Sequence, residues 1–307
     1  MPSTAEIKTQ VAHELEMRKR LAVPVMAGGV LYLIGAIILV STSNSAPTVG
    51  VLQGLTPAIS GVAQPAVSPR AAELKYTSHH AFALIAGSVL TAMALLVLTY
   101  LLLFLIDAVR FRRPQSFGAA RTLVLVGGPA LALVTVVREV ALAIATHKFA
   151  VGHDLSNASV EKTVTKGTLV VVVGTLGPVA WLVLVVGMIP TLLNTVRVGL
   201  LPRWLGFLGI FSAVLILLGG ATLELIPAFW LVMVGVLISG RWPKDPPAWE
   251  AGEARPWPSG AEQRAARQGA RGKPATAVAG NGAGAPAPAQ PAAPSSRRRR
   301  RKGRGAG

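Results

Sequence analysis

AFALIAGSVLTAMALLVLTYLLLFLI, residues 81–106, contains no charged side chain. An α-helix rises about 1.5 Å per residue, so a helical run of this length outreaches the roughly 30 Å of hydrocarbon in a bilayer. LAVPVMAGGVLYLIGAIILV (21–40) is uncharged in the same way. Apolar segments of this kind fall at about 22–40, 82–106, 122–145, 168–190, 204–221 and 225–239. A soluble core has room for one such helix, not for five or six. The chain therefore reads as all-α: a polytopic membrane bundle of about six transmembrane helices with a disordered C-terminal tail.

Composition agrees with this reading. Of 307 residues 52% are hydrophobic and 14% charged, against about 25% charged in ordinary soluble domains. Cysteine is absent, which excludes disulfides, thiolate metal sites and cysteine nucleophiles. Arginine outnumbers lysine, and Ala, Gly, Val and Pro are abundant, a bias that suggests a bacterial source with a GC-rich genome. The first apolar run is long and lacks a small-residue cleavage site, so it reads as a retained helix rather than a signal peptide.

Basic residues set the expected orientation. Lys8, Arg18, Lys19, Arg20, Arg110, Arg112, Arg113, Arg121, Arg197 and Arg203 fall on the side of the N-terminus, whereas Arg70, Lys75, Lys148, Lys162 and Lys166 are spread over the opposite loops. Both chain ends are thus expected in the cytoplasm, with the protein in the inner (plasma) membrane.

Three regions follow. Residues 1–20 hold Ser3 and Glu6 at capping-box spacing, then Ile7, Val11 and Leu15 on one helical face. They predict a cytoplasmic amphipathic helix, with Pro24 separating it from the first span. Residues 21–240 are the six-span domain, with outer loops at about 41–80 and 146–167. From Arg241 the composition turns to Pro, Ala and Gly, and 241–307 is expected to be disordered. It ends in the basic run Arg297, Arg298, Arg299, Arg300, Arg301 and Lys302. On the cytoplasmic face this run is drawn to anionic lipid headgroups at about 1 kcal/mol per basic residue. An acidic protein or RNA is the other partner its charge fits.

One span carries charge. VVREV (136–140) sets Arg138 beside Glu139, about 25 Å along the third span from Arg121 and hence in the outer leaflet. Glu224 in the outer turn, His79 and His80 opening the second span and His147 closing the third fall near the same level. Three readings apply to this outer-leaflet polar cluster: an ion pair of Arg138 with Glu224 or Glu139, an outward-facing ion or proton site, and a His/Glu metal site. No HExxH or HxxxE spacing supports the metal, and no cofactor is implied.

GGP (127–129) and GTLGP (174–178) interrupt the third and fourth spans, as broken helices do in some transporters. Small residues at such places also permit close helix packing, as do Ala83/Gly87 and Gly128/Ala132. No phosphate loop, Ser/His/Asp set or carboxylate pair is present, so no enzyme is expected.

RVGLLPRWLGFLGIFSAVL (197–215) leads from a basic loop into the fifth span. Pro202 suits a first helical turn, and Arg203 and Trp204 suit an interface. The segment resembles a stretch found in uncharacterised bacterial multi-pass membrane proteins of a domain-of-unknown-function family. The resemblance implies a small helical membrane domain without an assigned activity. The function expected is a non-enzymatic membrane scaffold or accessory protein whose polybasic tail binds anionic lipid or an acidic partner. The alternative is a small transporter or channel using the outer polar cluster.

Overall fold

The computed structural model describes residues 3–48, 50, 67–114, 118–152, 154–165, 168–218, 225–242, 246–258 and 264. Those residues form helices and connecting turns with no strand. One compact unit runs from Met1 to Trp257.

Helix α1 spans Thr4–Asn44. It opens on the expected capping box: Glu6 N donates to Ser3 Oγ at 3.3 Å and Ser3 N to Glu6 Oε2 at 2.7 Å. The break expected at Pro24 is absent, and one helix of 41 residues continues through it. Proline removes only the bond to the carbonyl four residues back. That carbonyl belongs to Arg20, an exposed residue, while Glu14, Arg18, Leu21 and Val25 are buried on either side and hold the two halves in line.

After α1 come α2 (Ala71–His79), α3 (Ala81–Arg112), α4 (Gly118–Val151), α5 (Asn157–Thr165), α6 (Thr168–Val198), α7 (Arg203–Leu218), α8 (Leu225–Ile238) and α9 (Pro247–Ala251). Four of these, α1, α3, α4 and α6, are long and apolar enough to cross a membrane. Helices α7 and α8 are apolar but shorter, at 16 and 14 residues.

The six apolar helices close into a ring in which α1 packs on α3, α3 on α4, α4 on α6, α6 on α7, α7 on α8 and α8 back on α1. Helix α3 also touches α6 across the ring, so leucines fill the centre. Leu98, Leu101, Leu102 and Leu105 of α3 meet Leu184, Met188 and Leu192 of α6, with Trp230 and Val234 of α8 in the same cluster. The outer faces are apolar too: Phe82, Val23, Leu133, Val179 and Phe207 are all exposed. A surface so apolar suits hydrocarbon rather than water.

Small residues let these helices approach closely. A methyl group on Gly127 would stand 2.6 Å from the backbone nitrogen of Leu184, and one on Gly35 would stand 2.7 Å from the carbonyl of Gly87. The GGP segment is thereby occupied by packing between α3 and α6, and α4 runs unbroken through Pro129. Helix α6 is likewise continuous through Pro178 and Pro190. The interruptions expected in the third and fourth spans are not there. A proline costs a long helix one backbone bond, and neighbouring helices keep its axis intact.

The ring has two ends. The near end gathers the start of α1, the C-termini of α3, α6 and α8, and the start of α4. At the far end α2 and α5 lie against the end of α4. There Ala71, Leu74, Phe149 and Val160 make a small separate core, and Ser68 N donates to the Leu155 carbonyl at 2.7 Å. Both segments expected as outer loops thus contain a short helix, Ala71–His79 and Asn157–Thr165, that their polar composition did not suggest.

Candidate functional site

The most elaborate polar arrangement among the described residues lies at the near end, whose basic residues served in the sequence only to set the expected orientation. Arg112, in the last turn of α3, donates through Nη1 and Nη2 to the two carboxylate oxygens of Glu14, at 2.6 and 2.7 Å. Its other bonds go to carbonyls: Nη1 to Ala108 at 2.9 Å, and Nε and Nη2 to Ala248 at 3.2 and 2.9 Å. All five donors of the guanidinium are used. The Arg112 side chain is 0% exposed and Glu14 2%, so the charges offset each other out of water. Bidentate geometry makes this the strong form of such a pair.

Trp249 of α9 sits beneath this pair. Its ring stacks nearly parallel on Phe104 at 5.5 Å, and its Nε1 donates to the Leu200 carbonyl at 3.0 Å. The guanidinium carbons of Arg18 and Arg112 lie 5.0 and 5.6 Å from its ring centre, within cation–π range. Arg18 Nε also donates to the carbonyl of Ile238, the last residue of α8, at 3.3 Å. A cation there satisfies a carbonyl that the helix itself leaves unbonded.

Local backbone chemistry brings these pieces together. Helix α9 ends at Gly252, which has φ 65° and packs against Ile7 and Val11 of α1. A side chain at Gly252 would be strained and would strike Ile7. The chain then crosses the turn after α6, where Gly199 has φ 92° and lies against the Arg255 backbone. Arg255 N donates to the Val198 carbonyl at 2.9 Å. Residues 246–257 thus form a strap folded onto the bundle, which corrects the expectation that structure ends at Arg241. The low-complexity composition begins only beyond the strap. The tryptophans that follow α8 were the available signal: Trp249 is buried in the strap, and Trp242 ahead of it stacks on Trp204 at 5.9 Å. Residues 265–307, with the basic run Arg297–Lys302, lie outside the described residues.

Beside the clasp, a half-open cleft of about 590 Å³ lies between α1, α3 and α4. Met17, Leu103, Phe104 and Phe111 line it together with His13, Asp107, Arg110 and Arg121. Arg121 Nε stands 3.4 Å from Asp107 Oδ1, both side chains half exposed.

At the far end, Arg138 pairs with its chain neighbour. Its Nε and Nη2 both reach Glu139 Oε1, at 3.0 and 2.8 Å, with the Arg138 side chain 66% exposed and Glu139 buried. The long arginine side chain folds back along its own helix, which the 100° offset between adjacent residues does not prevent. Glu224 lies outside the described residues. His80 stacks on Tyr76 at 3.9 Å and its Nδ1 lies 2.9 Å from the Tyr76 carbonyl, while His79 and His147 are exposed. Among the described residues no three His, Asp or Glu side chains come close enough to hold a metal.

The fold so described defines an all-helical protein built on four membrane-length apolar helices. No protein-family model matches the chain, and neither a curated protein nor a solved structure matches it.

Proposed function

We propose that this is a six-span protein of a bacterial inner membrane with both chain ends in the cytoplasm. It acts as a non-enzymatic scaffold or accessory protein. The bundle is the anchor, and the tail beyond residue 258 is the working part, its basic run taking anionic lipid headgroups or an acidic protein or RNA. Helices α7 and α8 count as spans in this reading because they complete the ring, although each is shorter than the bilayer core and relies on local thinning or interfacial side chains. The excess of Arg and Lys at the near end supports the orientation. Arg18 and Arg112 belong to that excess even though the clasp buries them.

The clasp around Trp249 carries the proposal. It fixes residues 246–257, the segment just before the tail in sequence, to α1, α3 and the α6–α7 turn. A bundle that only needed to reside in a membrane has no use for such a fixed segment. The transporter alternative draws less support, since Gly127 and Gly128 are filled by packing and α4 and α6 run unbroken.

The test is cross-linking in membranes followed by pull-down, comparing the full chain with one ending after Pro258, which leaves the strap whole. A protein or RNA recovered only with the full chain supports the scaffold reading and names its partner. Identical recoveries from both chains would sink it.

A further inference from the structure

We propose that the near-end cleft between α1, α3 and α4 seats the headgroup of an anionic phospholipid from the adjoining leaflet. The inference rests on the bundle lying in a membrane and not on the tail.

Position is the first argument. The uncharged run of α3 ends at Ile106, and Asp107 and Arg110, the first charges after it, line the cleft. That is the level at which hydrocarbon gives way to headgroups. Tyr100, two turns further in and also lining the cleft, is exposed, as tyrosines at this depth commonly are.

Charge is the second. Glu14, in the cleft wall, is neutralised by Arg112, and Asp107 by Arg121. Arg110 has no hydrogen-bond or ion-pair partner among the described residues, so the lining carries one uncompensated positive charge. A phosphodiester carries one negative charge, and guanidinium groups bind phosphate oxygens in a matching fork. Arg110 holds the phosphate in this arrangement, and Arg121 turns part of its donor set from Asp107 towards it.

Shape is the third. The volume of about 590 Å³ falls within the roughly 300–1,000 Å³ of small-ligand sites. The wall is graded, with Leu103, Phe104 and Tyr100 towards the apolar side and His13 and Arg110 towards the polar side. A phospholipid has the same gradation from acyl chain to headgroup. A soluble phosphate ester shares only the phosphate and leaves the apolar wall uncovered.

The experiment uses the full chain with Arg297–Arg301 and Lys302 all replaced by glutamine, so that the tail contributes no lipid attraction. The protein is reconstituted in phosphatidylcholine containing a minor fraction of phosphatidylglycerol, extracted, and its retained lipids weighed by native mass spectrometry. The expected result is retention of phosphatidylglycerol above its bulk fraction. That enrichment should fall roughly tenfold in the double variant Arg110→Gln/Arg121→Gln, the loss typical of charged hydrogen bonds. It should also be lost in Leu103→Trp, which fills the cleft without changing its charge. Arg110 and Arg121 are exposed, so the charge variant stays folded and decides the matter even where the tryptophan is not accommodated. Enrichment that survives the charge variant, or that a folded Leu103→Trp protein retains, overturns the proposal. So does displacement of the lipid by excess glycerol 3-phosphate, which would make this a site for a soluble ester.

Discussion

Arg112 closes on both carboxylate oxygens of Glu14 across 98 residues of chain, and so ties the first helix to the end of the third outside their apolar stretches. Neither side chain reaches water. Removing one partner from such a pair leaves a buried charge and typically costs about 3–5 kcal/mol. Arg112→Ala and Glu14→Ala should each lower the unfolding free energy of the solubilised protein by about that much, seen as a lower thermal midpoint, whereas Glu14→Leu with Arg112→Met should lose much less. Losses that simply add in the double variant would contradict the pairing.

Trp249→Ala should cost about 3–5 kcal/mol, since it empties the space against Phe104 and frees the Leu200 carbonyl. Trp249→Phe keeps most of the packing and loses one hydrogen bond, about 1 kcal/mol. Limited proteolysis should find residues 246–257 cut readily in the alanine variant and protected in the phenylalanine one. Equal protection in both would show that the strap is held elsewhere.

Two glycines separate packing from any role in a pathway. Gly127→Ala forces a methyl group against the Leu184 backbone, and overpacking of this kind costs about 1–3 kcal/mol. Gly174→Ala meets nothing within 4 Å and should leave the melting temperature unchanged. The opposite order of effects would mean that α4 and α6 pack otherwise.

Because Arg138 and Glu139 share one ion pair, their alanine variants should be coupled, by about 0.5–3 kcal/mol in a double-mutant cycle. Arg138→Ala should be the worse single change, since it strands a buried carboxylate. A cycle with no coupling would show that the two side chains act independently in the membrane.

The first turn of α1 should respond to acid. Hydrogen bonds from the Ser3 backbone and side chain, in that order of size, hold the Glu6 carboxyl below its usual range. A lowered folded pKa means that its stabilisation is present above the unfolded value and is lost as the pH falls through the folded one. The protection of Ile7 and its neighbours against amide exchange, measured relative to the intrinsic rate at each pH, should therefore fall as the Glu6 carboxyl protonates, and Glu6→Gln should remove that loss of protection. An acid response that persists in Glu6→Gln would place its origin elsewhere.

What the sequence disclosed depended on range. The apolar runs foretold a helix at each of α1, α3, α4, α6, α7 and α8, because a helix in hydrocarbon must satisfy its backbone internally and carry apolar side chains all round, but they missed the polar extensions of α1, α3 and α6 at the near end. Ser3 and Glu6 gave the start of α1 because a cap is local. The clasp was hidden because its members, Glu14, Arg18, Arg112 and Trp249, look like solvated charge and linker when each is read beside its neighbours. Pro24 misled for the converse reason: its effect was judged locally, while burial on both sides decided the outcome. Glu224 and the run Arg297–Lys302 lie outside the described residues.

The strap also has a consequence for biosynthesis. Glu14 and Arg112 emerge early from the ribosome, but Ala248 and Trp249, which complete their surroundings, are made after the last helix of the ring. Until then the arginine has the Ala108 carbonyl but lacks that of Ala248, and the near end stays unsealed. The clasp therefore closes only after all six apolar helices of the ring have been made.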